Sequence, residues 1–337
     1  MALEIQAWGR GLSQSSDVFC TTLRERLGTK LREDGNESYY VALEHDPVKL
    51  RLISRTIPRK NRMLVIFEPK SVNPLQHTRR IRRKYGKVVV TSELHKMLST
   101  DIVWDYGVLP PLREIQAILK EISSDFINRE FAIGLINENK FSTNRDEAYT
   151  LRQRLIQKLA RADYQVAVAG ANWTKGIIWY VAKQIYAATI QIRGGHIPRI
   201  TKLRLPFSRA AKNKIQIIGR VPTQVGFLSA CSYSLVIENE PTYVTEKLFN
   251  ALLAGSYPLY IGPDLNKFGV PNNIAPNLPQ PFMNAIGEAL LMSAKDRASW
   301  VRSAHQWLQE PQTQLRWGLE PSVDRLVEII SAFSSSN

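Results

Sequence analysis

The chain has 337 residues, enough for two domains rather than one, and 44% of them are hydrophobic. Its 45 lysines and arginines against 30 acidic residues leave a formal net charge of +15, which points to anionic partners: a phosphorylated substrate, a polyanion or an acidic lipid surface. No run of about 18 apolar residues occurs, so no membrane-spanning helix is expected. The only two cysteines, Cys20 and Cys231, lie too far apart in sequence to form a metal or redox motif.

The first ten residues lack a charged segment followed by an apolar core, so no signal peptide is expected. Sparse cysteine favours a reducing compartment, and the two readings together predict a cytoplasmic protein. Residues 1–62 carry few signals. Val18–Leu27 has helical spacing, Tyr39–Leu43 reads as a short strand, and the arginines and lysine at 51, 55, 59, 60 and 62 read as a solvated basic surface. Met63-Leu-Val-Ile-Phe67 is a buried strand, ended by Glu68-Pro69. A carboxylate at the carboxyl end of a parallel strand, followed by proline, is placed to face a cleft; an ordinary loop glutamate has the same local sequence. Arg79–Lys84 reads as a charged loop or helix face. Lys87–Thr91 and Asp101–Tyr106 are two further strands, and Ile115–Ile122 is a helix.

Strand alternation restarts at Phe131-Ala-Ile-Gly-Leu-Ile136 after a polar connection, which sets a domain boundary near residues 123–130. The chain then divides into domains 1–125 and 126–322, with a C-terminal helix and tail at 323–337. Asp146–Ala162 is an amphipathic helix with Leu151, Leu155 and Leu159 inward and Arg152 one position round from them. Gln165–Ala169 is the strand that follows. The segment 172–215 differs in character. Trp173, Ile177, Ile178, Val181, Ile185 and Ala188 share a helical face, flanked by Trp179, Tyr180, Tyr186, Lys175, Lys183 and Arg193. Arg199, Lys202, Arg204, Arg209, Lys212 and Lys214 come after. Basic charge interleaved with aromatic and aliphatic residues suits an anionic lipid interface. A core-packing helix followed by a basic loop accounts for it equally well. Ile215–Ile218 is a strand and 222–230 a helix.

The most informative stretch runs from Tyr233 to Gly262. Leu235–Ile237 is a buried strand that stops at Glu238 and Asn239. A short loop with Pro241 leads to a helix capped by Thr245 and stopped by Gly255, and Tyr257–Ile261 is the next strand. This is a βαβ unit whose polar residues lie outside the strand's carboxyl end, where open α/β sheets bind ligands. A helix N-terminus with lysine in its first turn suits a phosphate, although an N-capped surface helix with a solvated Glu-Lys pair has the same sequence. The proline- and asparagine-rich segment from Gly262 to Pro281 is expected to loop along the cleft. Phe282–Met292, Ala294–Leu308 and Val323–Phe333 are helices by period.

Ile237-Glu-Asn-Glu-Pro-Thr-Tyr-Val-Thr-Glu-Lys-Leu, followed by Ala254-Gly255-Ser-Tyr-Pro258 and Gly262-Pro263, resembles the signature of the α-1,3/1,4-fucosyltransferases of glycosyltransferase family 10. Two further segments match in the family's order. Phe67-Glu68-Pro69 resembles its Phe-Glu-Ser-Pro segment, and Arg152-x-x-Leu155-Ile156-x-x-Leu159 resembles its arginine-bearing helix. Ile237 stands where the family usually has phenylalanine, segment 172–215 is longer than in familiar animal members, and their membrane stem is absent.

The resemblance implies an α/β protein of GT-B fold: two Rossmann-like domains facing across a cleft, acceptor mainly on the first and sugar nucleotide on the second. It implies inverting transfer of L-fucose from GDP-β-L-fucose to a hydroxyl of an oligosaccharide or glycolipid acceptor. Glu68 is then the catalytic base, and Arg152 and Lys247 meet the diphosphate. Glu246 takes the ribose hydroxyls, Asn239 and Tyr243 position donor sugar and nucleotide, and Glu238 and Thr245 complete the donor site. No metal motif is present, and no cofactor is required beyond the donor substrate. No RNA-recognition, helix-turn-helix or zinc-finger pattern occurs, so nucleic acid is not expected as a partner. Peripheral contact with the inner face of an anionic membrane is expected from segment 172–215. The alternatives are another sugar nucleotide on the same fold, or a non-catalytic glycan or polyanion binder.

Overall fold

Two all-parallel sheets organise the chain. A computed structural model describes residues 3–7, 14–30, 39–68, 72–91, 101–122, 128–142, 147–193, 206–207 and 213–335. Pro69, Asp146 and the basic residues Arg199, Lys202, Arg204, Arg209 and Lys212 lie outside the described residues. The chain forms two compact units, the first made of Met1–Pro111, Ile190–Ile197 and Gln314–Asn337, the second of Leu112–Thr189 and Pro198–Thr313.

In the first unit, β1 (Leu3–Ala7), β2 (Tyr39–Leu43), β3 (Arg62–Ile66), β4 (Lys87–Val90) and β5 (Ile102–Val103) pair in chain order, all parallel. Parallel pairing needs crossovers, supplied by helices α1 (Gln14–Lys30), α2 (Pro47–Ile53) and α3 (Arg79–Arg82). Both faces are covered, so alternate residues of one strand enter different cores. Val41, Leu43, Met63 and Val65 pack against Phe19, Leu23 and Leu27 of α1 and against Val323 and Leu326 of the C-terminal helix. Tyr40, Ala42, Leu64 and Ile66 pack on the other side against Leu50 and Ile53 of α2.

Two basic runs are less solvated than their sequence suggests. Arg62 is buried, and its guanidinium donates to the carbonyls of Ile57, Ser54 and Lys84. In the 79–84 run, Arg79, Arg80, Arg83 and Lys84 are exposed as expected, but Arg82 is buried and ion-paired with buried Asp101.

The second unit begins with helix α4 (Leu112–Glu121) and contains β6 (Phe131–Ile136), α5 (Tyr149–Arg161), β7 (Val166–Ala169), α6 (Ile177–Arg193, its last residues assigned to the first unit), β8 (Ile215–Gly219), α7 (Gln224–Ser229), β9 (Cys231–Ile237), α8 (Glu246–Leu253) and β10 (Tyr257–Ile261). Its sheet runs β10-β9-β6-β7-β8, all parallel. The order therefore reverses at β6: β7 and β8 lie on one side, β9 and β10 on the other. Ligands of such sheets bind at the carboxyl ends of the strands flanking that reversal. Here those ends are Ile136-Asn137 and Ile237-Glu238.

Helices α9 (Phe282–Leu290), α10 (Ala294–Gln309), α11 (Pro311–Trp317) and α12 (Leu319–Ser335) complete the chain. The α11 turn has no counterpart in the expected elements, and α12 starts four residues earlier than its period suggests. Helix α6 splits the expected shared face between core and solvent. Trp173 precedes the helix and is buried, stacked on Phe207. Tyr180, Ala187 and Ala188 face inward, whereas Ile178, Ile185 and Ile192 are 83%, 64% and 62% exposed. Among the described residues no helix is long and apolar enough to cross a membrane.

Candidate functional site

Helix α8 starts where the sequence expects it. Thr245 has extended backbone angles and its hydroxyl accepts from Lys247 N, while Gly255 adopts φ +60 after the last turn, a left-handed conformation that glycine takes without a Cβ penalty. The carboxylate of Glu238 at the end of β9 closes this corner. It accepts from Thr245 N at 2.9 Å, from Thr245 Oγ1 at 2.7 Å and from Lys247 Nζ at 3.3 Å. Lys247 Nζ also donates to Thr245 Oγ1 at 2.8 Å. All three residues are buried. The next loop approaches them closely: a Cβ on Gly262 would lie 2.9 Å from Glu238 Cγ and 2.4 Å from the Tyr260 hydroxyl oxygen.

Arg152 reaches the same strand end from α5. Its Nη2 donates to Ile237 O at 2.8 Å and to Asn239 Oδ1 at 3.3 Å, and its guanidinium lies 5.3 Å from the Tyr149 ring centroid. Asn239 Nδ2 donates to the Tyr243 hydroxyl at 3.4 Å, and Ala148 N donates to Asn239 O. Asn239, Tyr243 and Glu246 are half-buried. The seven predicted donor-side residues therefore sit together at the carboxyl end of β9 and the start of α8, beside the reversal of strand order. The two cations are not solvent-facing: Arg152 is 1% exposed and Lys247 7%. Each fixes this loop through hydrogen bonds within the protein.

Glu68 belongs to the first unit, just beyond the end of β3. It is half-buried, and its carbonyl accepts from Gln76 Nε2 at 3.1 Å and His77 Nε2 at 2.8 Å. His77 Nδ1 faces Arg82 Nη2 at 3.4 Å, so it accepts there and the proton sits on Nε2. The buried Arg82–Asp101 pair thus orients the imidazole that holds the Glu68 backbone.

Sequence reasoning missed Glu44, which directly follows β2. Its carboxylate accepts from Phe67 N at 2.6 Å and Glu68 N at 2.9 Å. Burial, and then the charge on Glu68, push its carboxyl up to about 8. Asn139, beyond β6, was missed as well; buried, it donates to Asn172 O and the Tyr180 hydroxyl. Position at a strand's carboxyl end is the one sequence signal either residue carries. Among the described residues no three His, Cys, Asp or Glu side chains are grouped to hold a metal ion.

No family model matches this sequence, and no curated protein matches it. Solved structures match along nearly the whole chain. Anabaena HepE in complex with UDP and glucose is 9% identical, with a TM-score of 0.55 over 98% of this chain and 100% of that one. An α,α-trehalose-phosphate synthase (UDP-forming) from Burkholderia vietnamiensis is 10% identical, with a TM-score of 0.53 over 97% of this chain and 82% of the other. An α1,3-fucosyltransferase is 12% identical, with a TM-score of 0.50 over 99% of this chain and 90% of the other. The chain therefore has the α/β GT-B fold of glycosyltransferases. At such identities the likeness speaks to the fold alone, and no single family within it is picked out.

Proposed function

We propose that this protein is an inverting glycosyltransferase that moves L-fucose from GDP-β-L-fucose to a hydroxyl of an oligosaccharide or glycolipid acceptor, in an α-1,3/1,4-type linkage. One observation carries the proposal: two hydrogen-bonded groups, Glu238 with Thr245 and Lys247 and Arg152 with Asn239, meet at the strand end flanking the reversal of sheet order. The resemblance of those same residues to the fucosyltransferase signature supplies the donor.

In this reading Glu68 takes the proton of the acceptor hydroxyl as its oxygen bonds to the anomeric carbon. The bond from that carbon to the diphosphate oxygen breaks on the opposite face, and GDP leaves with the electron pair. Negative charge grows on the departing diphosphate, where Arg152, Lys247 and the N-terminus of α8 stabilise it. Lys247 is answered by Glu238 in this structure, so the diphosphate competes with that carboxylate for the ammonium. Glu246 accepts from the ribose hydroxyls, and Asn239 and Tyr243 position sugar and nucleotide. Cationic side chains serve where other glycosyl transfers use a metal.

The same reading places the protein at the inner face of an anionic membrane, with α6 as the contact. Ile178, Ile185 and Ile192 recur every seven residues and are exposed, and Lys183 Nζ lies over the rings of Trp179 and Tyr186 at 5.9 and 5.5 Å. A stripe of isoleucine beside cations and aromatic rings fits the headgroup boundary.

The second reading keeps the fold and changes the donor. It is favoured by the HepE structures, whose bound ligands are UDP, glucose and UDP-glucose. Turnover of GDP-fucose, GDP-mannose and UDP-sugars by the purified protein, with N-acetyllactosamine-type and lipid-linked acceptors, separates them. The first reading requires GDP-fucose to be the preferred donor and Glu68→Gln to bind GDP without transfer; preference for a UDP-sugar replaces it with the second.

A further inference from the structure

We infer that Glu44 is the positioning residue for Glu68, holding the backbone of the catalytic carboxylate through two amide hydrogen bonds. The inference rests on the reading of Glu68 as base. Glu44 and Glu68 follow the carboxyl ends of neighbouring parallel strands, β2 and β3. Glu44 N still bonds to Val65 O, so the residue continues the ladder before turning. One carboxylate oxygen, Oε1, then receives both Phe67 N and Glu68 N, and Oε2 faces Asn73 Nδ2 at 3.4 Å. On its other side the Glu68 carbonyl is held by Gln76 and His77. Both peptide groups of Glu68 are thereby anchored, which restricts where its side chain starts.

Three features mark Glu44 as more than a loop residue. Its φ is +69, a left-handed conformation that a side chain other than glycine, asparagine or aspartate rarely takes. Glycine would relieve that strain, and strained backbones gather at functional sites. Its carboxyl is buried beside a second one, and burial and the Glu68 charge both oppose its ionisation. Its two short N–H bonds go to the pair of residues that deliver Glu68 and to no other element. An apolar residue would leave the amides of half-buried Phe67 and Glu68 without this acceptor.

The test is steady-state kinetics with GDP-fucose and an N-acetyllactosamine-type acceptor. Glu44→Gly keeps the left-handed backbone without strain and deletes the acceptor oxygen. It should lower kcat by about 10²-fold, the scale of a small misplacement of a reacting group, while leaving the donor KM unchanged. Glu44→Gln keeps the acceptor oxygen and should restore kcat to within about threefold of wild type. If Glu44→Gly fails to fold, Glu44→Asp tolerates the same φ with a shorter arm and should also lower kcat at constant donor KM. Wild-type kcat in Glu44→Gly or Glu44→Asp, or a Glu44→Gln as impaired as Glu44→Gly, overturns the inference. Glu68→Gln is measured alongside. Inactive Glu68→Gln with fully active Glu44 variants defeats the inference alone. Active Glu68→Gln, or a wild type that turns over no sugar nucleotide, defeats the base assignment and takes this inference with it.

Discussion

The ammonium of Lys247 lies 3.3 Å from the carboxylate of Glu238, and both side chains are almost wholly buried. Removing one partner of such a pair typically costs about 3–5 kcal/mol, because a buried charge is left unanswered, whereas replacing both can be nearly neutral. Lys247→Met alone should therefore lower Tm by about 10 °C. Adding Glu238→Gln should recover most of that loss, since glutamine still accepts from Thr245 N. Turnover should behave differently: the double variant should stay about 10²–10³-fold slow, the scale of one lost oxyanion donor. Recovery of both Tm and turnover in the double variant would make Lys247 structural only.

Arg152 poses the same question with a different readout. Its guanidinium holds Ile237 O and Asn239 Oδ1, so Arg152→Ala should loosen the loop that carries the donor-side residues. A nucleotide that binds the native state raises its Tm with the logarithm of ligand over Kd, and under the proposed function GDP is that nucleotide. Arg152→Ala should shrink the GDP-induced rise at fixed nucleotide concentration and slow transfer by about 10²–10³-fold. An undiminished rise in the variant removes the diphosphate role.

These two cations also mark where sequence reading stops. Phe131–Ile136 and Tyr257–Ile261 were legible to the residue because buried parallel strands are continuous apolar runs between polar stops. The α8 start was legible because a capping threonine and a lysine turn are local signals. That Lys247 and Arg152 are answered by groups 9 and 85 residues away is not local. Glu44 is the extreme case, since its partners lie 23 and 24 residues downstream and its φ leaves no mark in composition. Helix α6 shows a different limit: spacing says which isoleucines share a face, and only packing of Tyr180, Ala187 and Ala188 says that the face points outward.

Stability should depend on pH at both ends through buried Glu44 and His45 and half-buried His305. The Glu44 carboxyl is raised to about 8, so the stability it contributes is complete below its unfolded value of 4.5 and lost as pH rises through 8. His45 and His305 are lowered to about 4, chiefly by burial, so their contribution is present above 6.5 and lost as pH falls through 4. Denaturant midpoints measured from pH 4 to 9 should decline towards both ends. Glu44→Gln should flatten the alkaline decline, and His305→Gln the acid one. An alkaline decline unchanged in Glu44→Gln would place its cause elsewhere.

The exposed stripe of α6 makes the last prediction, on membrane contact. Ile178 and Ile185 are 83% and 64% exposed, so charged substitutions there leave the core untouched. Near an anionic surface each lysine or arginine contributes about 1 kcal/mol, so Lys175, Lys183 and Arg193 together should favour acidic over neutral vesicles by about 10²-fold. The wild type should sediment with phosphatidylcholine vesicles containing phosphatidylglycerol, release as salt rises, and bind pure phosphatidylcholine weakly. Ile178→Asp with Ile185→Asp should abolish sedimentation at unchanged Tm, and Lys183→Glu should weaken it on acidic vesicles alone. Equal binding by the double variant would exclude α6 as the contact. A wild-type dimer that the double variant dissociates, with no vesicle binding by either, would instead assign the stripe to a second copy of the chain.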